Sequence, residues 1–191
     1  MTPMSIVALF AVGLVVVIVG FIVVASYNAV MALRQRIDKA WSNIDVMLKQ
    51  RHDQLPALVS AVRGVLAFEQ EVLTDVARAR AAYSPTEPIP DQAVHSDATT
   101  AAVRSLFSVV EAYPELKSQQ NVLDLQDEIE RLETMIADRR ELYNESVNLN
   151  NIRIQTFPDL IVARMFEFKP SALLEFTEEQ KRDVDVGKLF G

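Results

Sequence analysis

Residues Ile6 to Ala25 form an unbroken run of twenty apolar residues, and no charged side chain appears before Arg34. At about 1.5 Å of rise per residue, a helix of that length covers roughly 30 Å, the hydrocarbon thickness of a bilayer. A single Lys or Arg at its centre would cost about 3 kcal/mol, and none is present. The run predicts a transmembrane helix that contacts the lipid bilayer through residues 5–25. Where it ends, a different pattern begins. Ile37, Trp41, Ile44, Leu48, Leu55, Val59, Val62 and Leu66 recur at steps of three and four, with His52 filling one place in the series. Val72, Leu73 and Val76 continue the stripe. This is helical periodicity, and strand alternation is nowhere sustained. Pro56 removes one backbone hydrogen bond and crowds the preceding turn. The stripe keeps its phase across Pro56, so one bent helix over about residues 27–82 is expected; a break at Pro56 would make it two.

Residues 84–97 begin Ser-Pro-Thr-Glu-Pro-Ile-Pro-Asp, with three prolines in six positions, and predict a loop. Ser96 or Asp97 can cap the next helix, which runs through Val103, Leu106, Phe107 and Val110. It should end near Tyr113, because Pro114 disfavours a helical residue before it. A further helix is expected from about Ser118 to Gln155. Its stripe is Val122, Leu125, Ile129, Leu132, Ile136, Leu142 or Tyr143, and Val147. Its outer face carries Glu128, Glu130, Arg131, Glu133, Asp138, Arg139 and Arg140, suited to solvent. Phe157-Pro158 stops it, a short apolar piece follows from Leu160 to Phe168, and the remainder is acidic and mixed.

Each helix has one apolar stripe and must bury it against another. The predicted fold is all-α: an N-terminal transmembrane helix continuing into an elongated antiparallel bundle of three to four helices. The expected divisions are an anchor at 1–26, a helical domain at 27–168 with its loop at 84–97, and a mobile acidic tail at 169–191. In an antiparallel bundle the region near Phe157 returns toward the membrane. The piece from Leu160 to Phe168, flanked by Arg164 and Lys169, then either sits at the lipid interface or caps the base of the bundle.

Composition narrows this reading. Glycine is scarce, at five, and the Leu, Ala, Glu, Arg and Gln content favours helix. The net charge of −7 argues against a nucleic-acid partner, since no basic stripe is available to release counterions from phosphate. Residues 26–84 carry slightly more base than acid, and most of the acid follows them. There is no cysteine, hence no disulfide framework, haem attachment or thiolate zinc site. Val23-Val24-Ala25 resembles a small-residue cleavage site, but no Lys or Arg precedes the run, and the run is long for a signal peptide. Retention as an anchor is therefore expected. The N-terminal flank has no basic residue, whereas Arg34, Arg36, Lys39, Lys49 and Arg51 follow the run. Basic flanks stay on the cytoplasmic side, so the N-terminus is expected outside and the helical domain inside.

Candidate chemistry is sparse. His52-Asp53 is the only neighbouring His–acid pair, but adjacent helical side chains diverge, and a polar cluster near Pro56 is the simpler reading. His95 falls in the expected loop. No Glu-x-x-His pattern, glycine-rich phosphate loop or nucleophile constellation is present. No catalytic, cofactor-binding or metal-ligating residue is assigned, and no cofactor is expected. Asn144, Asn148, Asn150 and Asn151 crowd the end of the last long helix. Opposite Asn28 and Asn43 they would form a register-fixing ladder, or else a polar groove. Trp41, the only tryptophan, is expected in the core.

Several segments together resemble the LemA family of bacterial membrane proteins. They are Tyr27-Asn28, Ala40-Trp41 with Ile44-Asp45-Val46, and Arg51-His52-Asp53 with Leu55-Pro56 and Leu58-Val59. Further along come Glu111-Ala112-Tyr113-Pro114 with Leu116-Lys117, Tyr143-Asn144 with Val147 and Asn150, and Phe157-Pro158 through Ala163. Leu149-Asn150 departs from the family's repeated Tyr-Asn pair. The resemblance implies one N-terminal transmembrane helix, an elongated helical bundle facing the cytoplasm of a bacterial inner membrane, and no established enzymatic activity or cofactor. The expected function is a membrane-anchored helical scaffold or adaptor that engages another protein or itself. The alternatives are a self-assembling protein that acts on the lipid surface, and an enzyme centred on His52 and Asp53.

Overall fold

In the computed structural model, residues 3–64 and 69–175 are described. Their elements are α1 (Pro3–Val62), α2 (Gln70–Ala81), α3 (Ile89–Glu111), α4 (Pro114–Lys117), α5 (Gln120–Arg153) and α6 (Asp159–Met165). No strand occurs among the described residues. The all-α expectation holds: a long helix with an apolar N-terminal segment leads into a helical domain.

α1 passes through Pro56 without interruption. It stops at Val62, where Arg63 and Gly64 form a turn, so the single helix expected over 27–82 is two helices, α1 and α2. The stop comes at a glycine, which costs about 1 kcal/mol inside a helix. Leu66 lies outside the described residues. The expected loop at 84–97 is also shorter. α3 begins at Ile89, with Pro88 as its N-cap and Pro90 in its first turn. Proline lacks only an N–H that the first turn leaves unpaired anyway, so Pro90 opens this helix rather than excluding it. Pro114 acts as anticipated. Tyr113 before it is extended (φ −111°, ψ 98°), α3 has ended at Glu111, and Pro114 starts the short α4.

The chain divides into two compact units. One comprises Met1–Ala40 and Leu142–Leu173. Its small core joins Val30 of α1, Ile154 beyond the end of α5 and Ala163 of α6, with Phe168 packed on it. Val30 clusters with Ile154 and, further along α1, Asp38 lies near enough to Tyr143 to act on it electrostatically, so α1 and α5 run antiparallel through this unit. From Ile6 to Ala25, α1 has no buried residue. It contains a window of mean hydropathy 3.3, long and apolar enough to cross a membrane.

The other unit comprises Trp41–Glu141 and Leu174–Gly191. Its core unites Leu55, Leu58 and Val62 of α1, Val76 of α2, Leu106 and Val110 of α3, Leu116 of α4, and Val122 and Ile129 of α5. Burying one such Leu or Val contributes roughly 1.5–3 kcal/mol. Tyr113 braces the α3–α4 corner by donating from its hydroxyl to Glu69 Oε1 at 3.1 Å. The start of the expected mobile tail is anchored: Asn151 pairs with Ser171, and Leu174 is buried. Residues 176–191 of that tail lie outside the described residues.

Candidate functional site

The buried positions of α1 past Trp41 are Ile44, Leu48, Arg51, Leu55, Leu58 and Val62. Their steps of four and three approximate the 3.5-residue period of knobs-into-holes packing. Arg51, rather than His52, therefore fills the vacant place in the stripe, and Leu58 is buried where Val59 was expected to be. On α3 the same period brings Gln92, Ser96, Thr99, Val103, Leu106 and Val110 inward. On α5 it carries Ile129, Leu132, Ile136, Arg140, Tyr143 and Val147. Tyr143 rather than Leu142 is the buried member of that pair.

A polar layer results. The Arg51 side chain is only 3% exposed. Its Nη1 donates to Glu133 Oε1 at 2.6 Å and to Thr100 Oγ1 at 2.9 Å. Its Nη2 donates to Ser96 O and Oγ, at 3.2 and 3.0 Å. Thr100 in turn donates to Glu133 Oε2 at 2.7 Å. Arg140 forms a second buried pair, donating from Nη1 to Asp97 Oδ1 and from Nη2 to the Glu175 carbonyl at 2.5 Å. Glu133 and Arg140, assigned to a solvent face from the sequence, are thus structural partners of α1 and α3. Each of these charges is matched only where the helices align, so a slip in register would strand it.

Beside Arg51 lies a cleft lined by both histidines of the chain, His52 and His95, with Tyr83 and Gln92. His95 sits within α3 rather than in a loop, its Nε2 3.2 Å from Glu87 Oε2. His52 and Asp53 do meet, contrary to expectation, with Nδ1 and Oδ1 3.2 Å apart. The His52 imidazole also packs on Tyr83, ring centroids 5.0 Å apart. Tyr83 donates to Asp45 Oδ1 at 3.3 Å. Burial, then the Asp45 carboxylate, push its phenol up to about 12. A histidine with an orienting carboxylate has the elements of a general base. Yet the cleft encloses about 10 Å³, the space of one water. No group of three or more His, Cys, Asp or Glu residues is placed to hold a metal ion among the described residues.

The asparagines do not form the expected ladder. Asn28, Asn43 and Asn148 are exposed, and of the six only Asn150 is buried. Asn151 instead behaves like a strand partner: its Nδ2 donates to Ser171 O and its Oδ1 accepts from Ser171 N, both at 2.9 Å. Trp41 is half-buried rather than in the core, and lines a small depression together with Ile44, Leu48, Ala93 and Leu174.

At the end of the apolar segment, Tyr27 meets Phe166 edge-on at 4.9 Å and Phe168 at 5.6 Å. The Arg34 guanidinium lies over the Phe168 ring at 4.7 Å and donates to the Lys169 carbonyl at 3.0 Å. α6 ends in a way that makes this collar. Glu167 is left-handed (φ 55°), Phe168 N donates to Ala163 O at 2.8 Å and Glu167 N to Arg164 O at 3.4 Å. These bonds define a Schellman cap, which characteristically brings the residue after the reversal onto the last turn. Phe168 accordingly packs on the cluster that contains Ala163.

Fold and sites together define a helical protein whose first helix opens with a membrane-length apolar segment and whose buried Arg51 and Arg140 pair with acidic residues of neighbouring helices. A model of the LemA family matches residues 40–187, and the chain belongs to that family. The chain is also similar to Protein LemA of Metamycoplasma hominis, 26% identical over 170 residues that cover 88% of this chain and 78% of that protein.

Proposed function

We propose that this protein is a membrane-anchored helical scaffold that presents its second unit to a protein partner on the cytoplasmic side of a bacterial inner membrane. The carrying observation is the continuity of α1: one helix contains the lipid-length segment and also contributes buried residues to both units. The buried charges support the same reading, since Arg51 and Arg140 are consumed in holding helices together. Orientation is inferred from the basic residues Arg34, Arg36 and Lys39, which follow the span and have no counterpart before it.

The test is photo-crosslinking in living cells, with a reactive side chain placed in turn at exposed positions of α2, α3 and α5. A scaffold yields one reproducible protein adduct, confined to neighbouring positions on a single surface. Adducts to lipid alone, or adducts scattered over every position tried, would contradict it.

A further inference from the structure

The two faces of α6 differ in kind. Val162 and Ala163 are buried, Ala163 in the cluster with Val30 and Ile154. On the other face, Ile161 and Met165 are each 58% exposed, four residues apart and therefore neighbours on the helix surface. Phe157 just before the helix and Phe166 just after it are 76% and 46% exposed. Four large apolar side chains within or beside a seven-residue helix thus stay largely in contact with solvent, which water does not favour.

The position of this patch indicates what covers it. Tyr27 lies two residues past the apolar run, about 3 Å further along the helix axis. The headgroup layer on each side of a bilayer is roughly 5–7 Å deep. With the run of residues 6–25 in the hydrocarbon, Tyr27 falls in that layer. Phe166 is in ring contact with Tyr27, so the end of α6 is held at the same depth. Cations flank the aromatics: Arg164 and Lys169 are exposed, and Arg34 stacks on Phe168. Apolar side chains at the boundary with basic groups beyond them form the pattern of a helix lying in a membrane interface.

We propose that α6 is a second, monotopic membrane contact. Ile161, Met165, Phe157 and Phe166 enter the headgroup–acyl boundary beside the span, and Arg164 and Lys169 face lipid phosphates. The tilt and rotation of a single-span helix are set by interfacial anchors of this kind. α6 would thus fix how α1 leaves the bilayer, which a lone apolar helix cannot do.

The chain contains no cysteine, so one cysteine at a time can carry a nitroxide without background labelling. The full chain is reconstituted into vesicles of zwitterionic and anionic phospholipid with no other protein. Labels are placed by Ile161→Cys and Met165→Cys, with Lys117→Cys as the exposed reference. Phe157→Cys, outside the helix, serves if either α6 variant loses helical circular dichroism. The expected result is that, relative to the reference, the α6 labels collide several-fold more with oxygen than with a water-soluble nickel chelate. Equal access of the chelate to all positions would overturn the proposal. So would spin–spin broadening at 161 or 165 that disappears on dilution with unlabelled chain, because a second copy would then cover the face. No partner protein is present, so the outcome is independent of the scaffold reading.

Discussion

Arg51 shows how one side chain can organise three helices. It comes from α1 and is met by Ser96 and Thr100 of α3 and Glu133 of α5. Its guanidinium is nearly sealed from water, whereas the Glu133 side chain is 22% exposed. Removing one partner of a buried pair costs about 3–5 kcal/mol, mainly because the other charge is stranded. Glu133→Ala, which strands the deeper charge, should therefore cost more than Arg51→Met. The double variant Arg51→Met/Glu133→Leu should recover most of the loss. Urea unfolding of the full chain in detergent measures all three, and additive losses in the double variant would show that the pair is not coupled. From spacing alone His52 fits between Leu48 and Leu55 as well as Arg51 does, by steps of four and three; the buried series Ile44, Leu48, Arg51, Leu55, Leu58 and Val62 keeps the 3.5-residue register at Arg51. Arg140 belongs to the buried series of α5 despite its charge, which a partner at Asp97 permits.

Tyr83 gives a second test at this scale. Its phenol titrates at about 12 in the folded protein instead of the ordinary 10, so folding favours the neutral form. The stabilisation it carries is complete below pH 10 and is lost as pH rises through about 12. In a phenolate absorbance titration, the difference between the native chain and Tyr83→Phe should be a single late component near 12. A difference centred at the value of a free phenol would contradict the buried contact with Asp45.

At the scale of elements, periodicity located the long helices well and their ends poorly. Pro114 marked a true boundary because Tyr113 must be extended before it. Pro90 did not, because it lies in the first turn of α3, where its missing N–H costs nothing. The end of α1 at Arg63-Gly64 was hidden by a stripe that resumes in phase as α2. The cap of α6 was invisible as well, because it uses Glu167 where glycine is usual. A non-glycine residue in the left-handed region carries about 1–2 kcal/mol of strain, part of which glycine returns as lost chain entropy. Glu167→Gly should thus raise stability by about 0.5–1 kcal/mol. Glu167→Val, β-branched at the same backbone angle, should lower it. Thermal unfolding of the detergent-solubilised chain compares them, and equal effects would mean that the cap does not persist in solution.

At the scale of the whole molecule, the apolar run alone specified the membrane reading, and the heptad-like stripes specified helix upon helix. Neither pattern reveals a partner, since partner recognition depends on exposed side chains that carry no periodic signal. The orientation proposed from Arg34, Arg36 and Lys39 predicts that protease added to intact spheroplasts leaves the helical domain uncut, while inside-out vesicles lose it. The reverse pattern would place the domain outside. More basic still is whether the apolar segment remains in the mature chain and holds it in lipid. The direct measurement is fractionation of native cells followed by an alkaline carbonate wash and N-terminal sequencing. The account predicts a chain that stays with the membrane pellet, dissolves only in detergent and retains residues 6–25. A water-soluble chain beginning at Ser26 would contradict it.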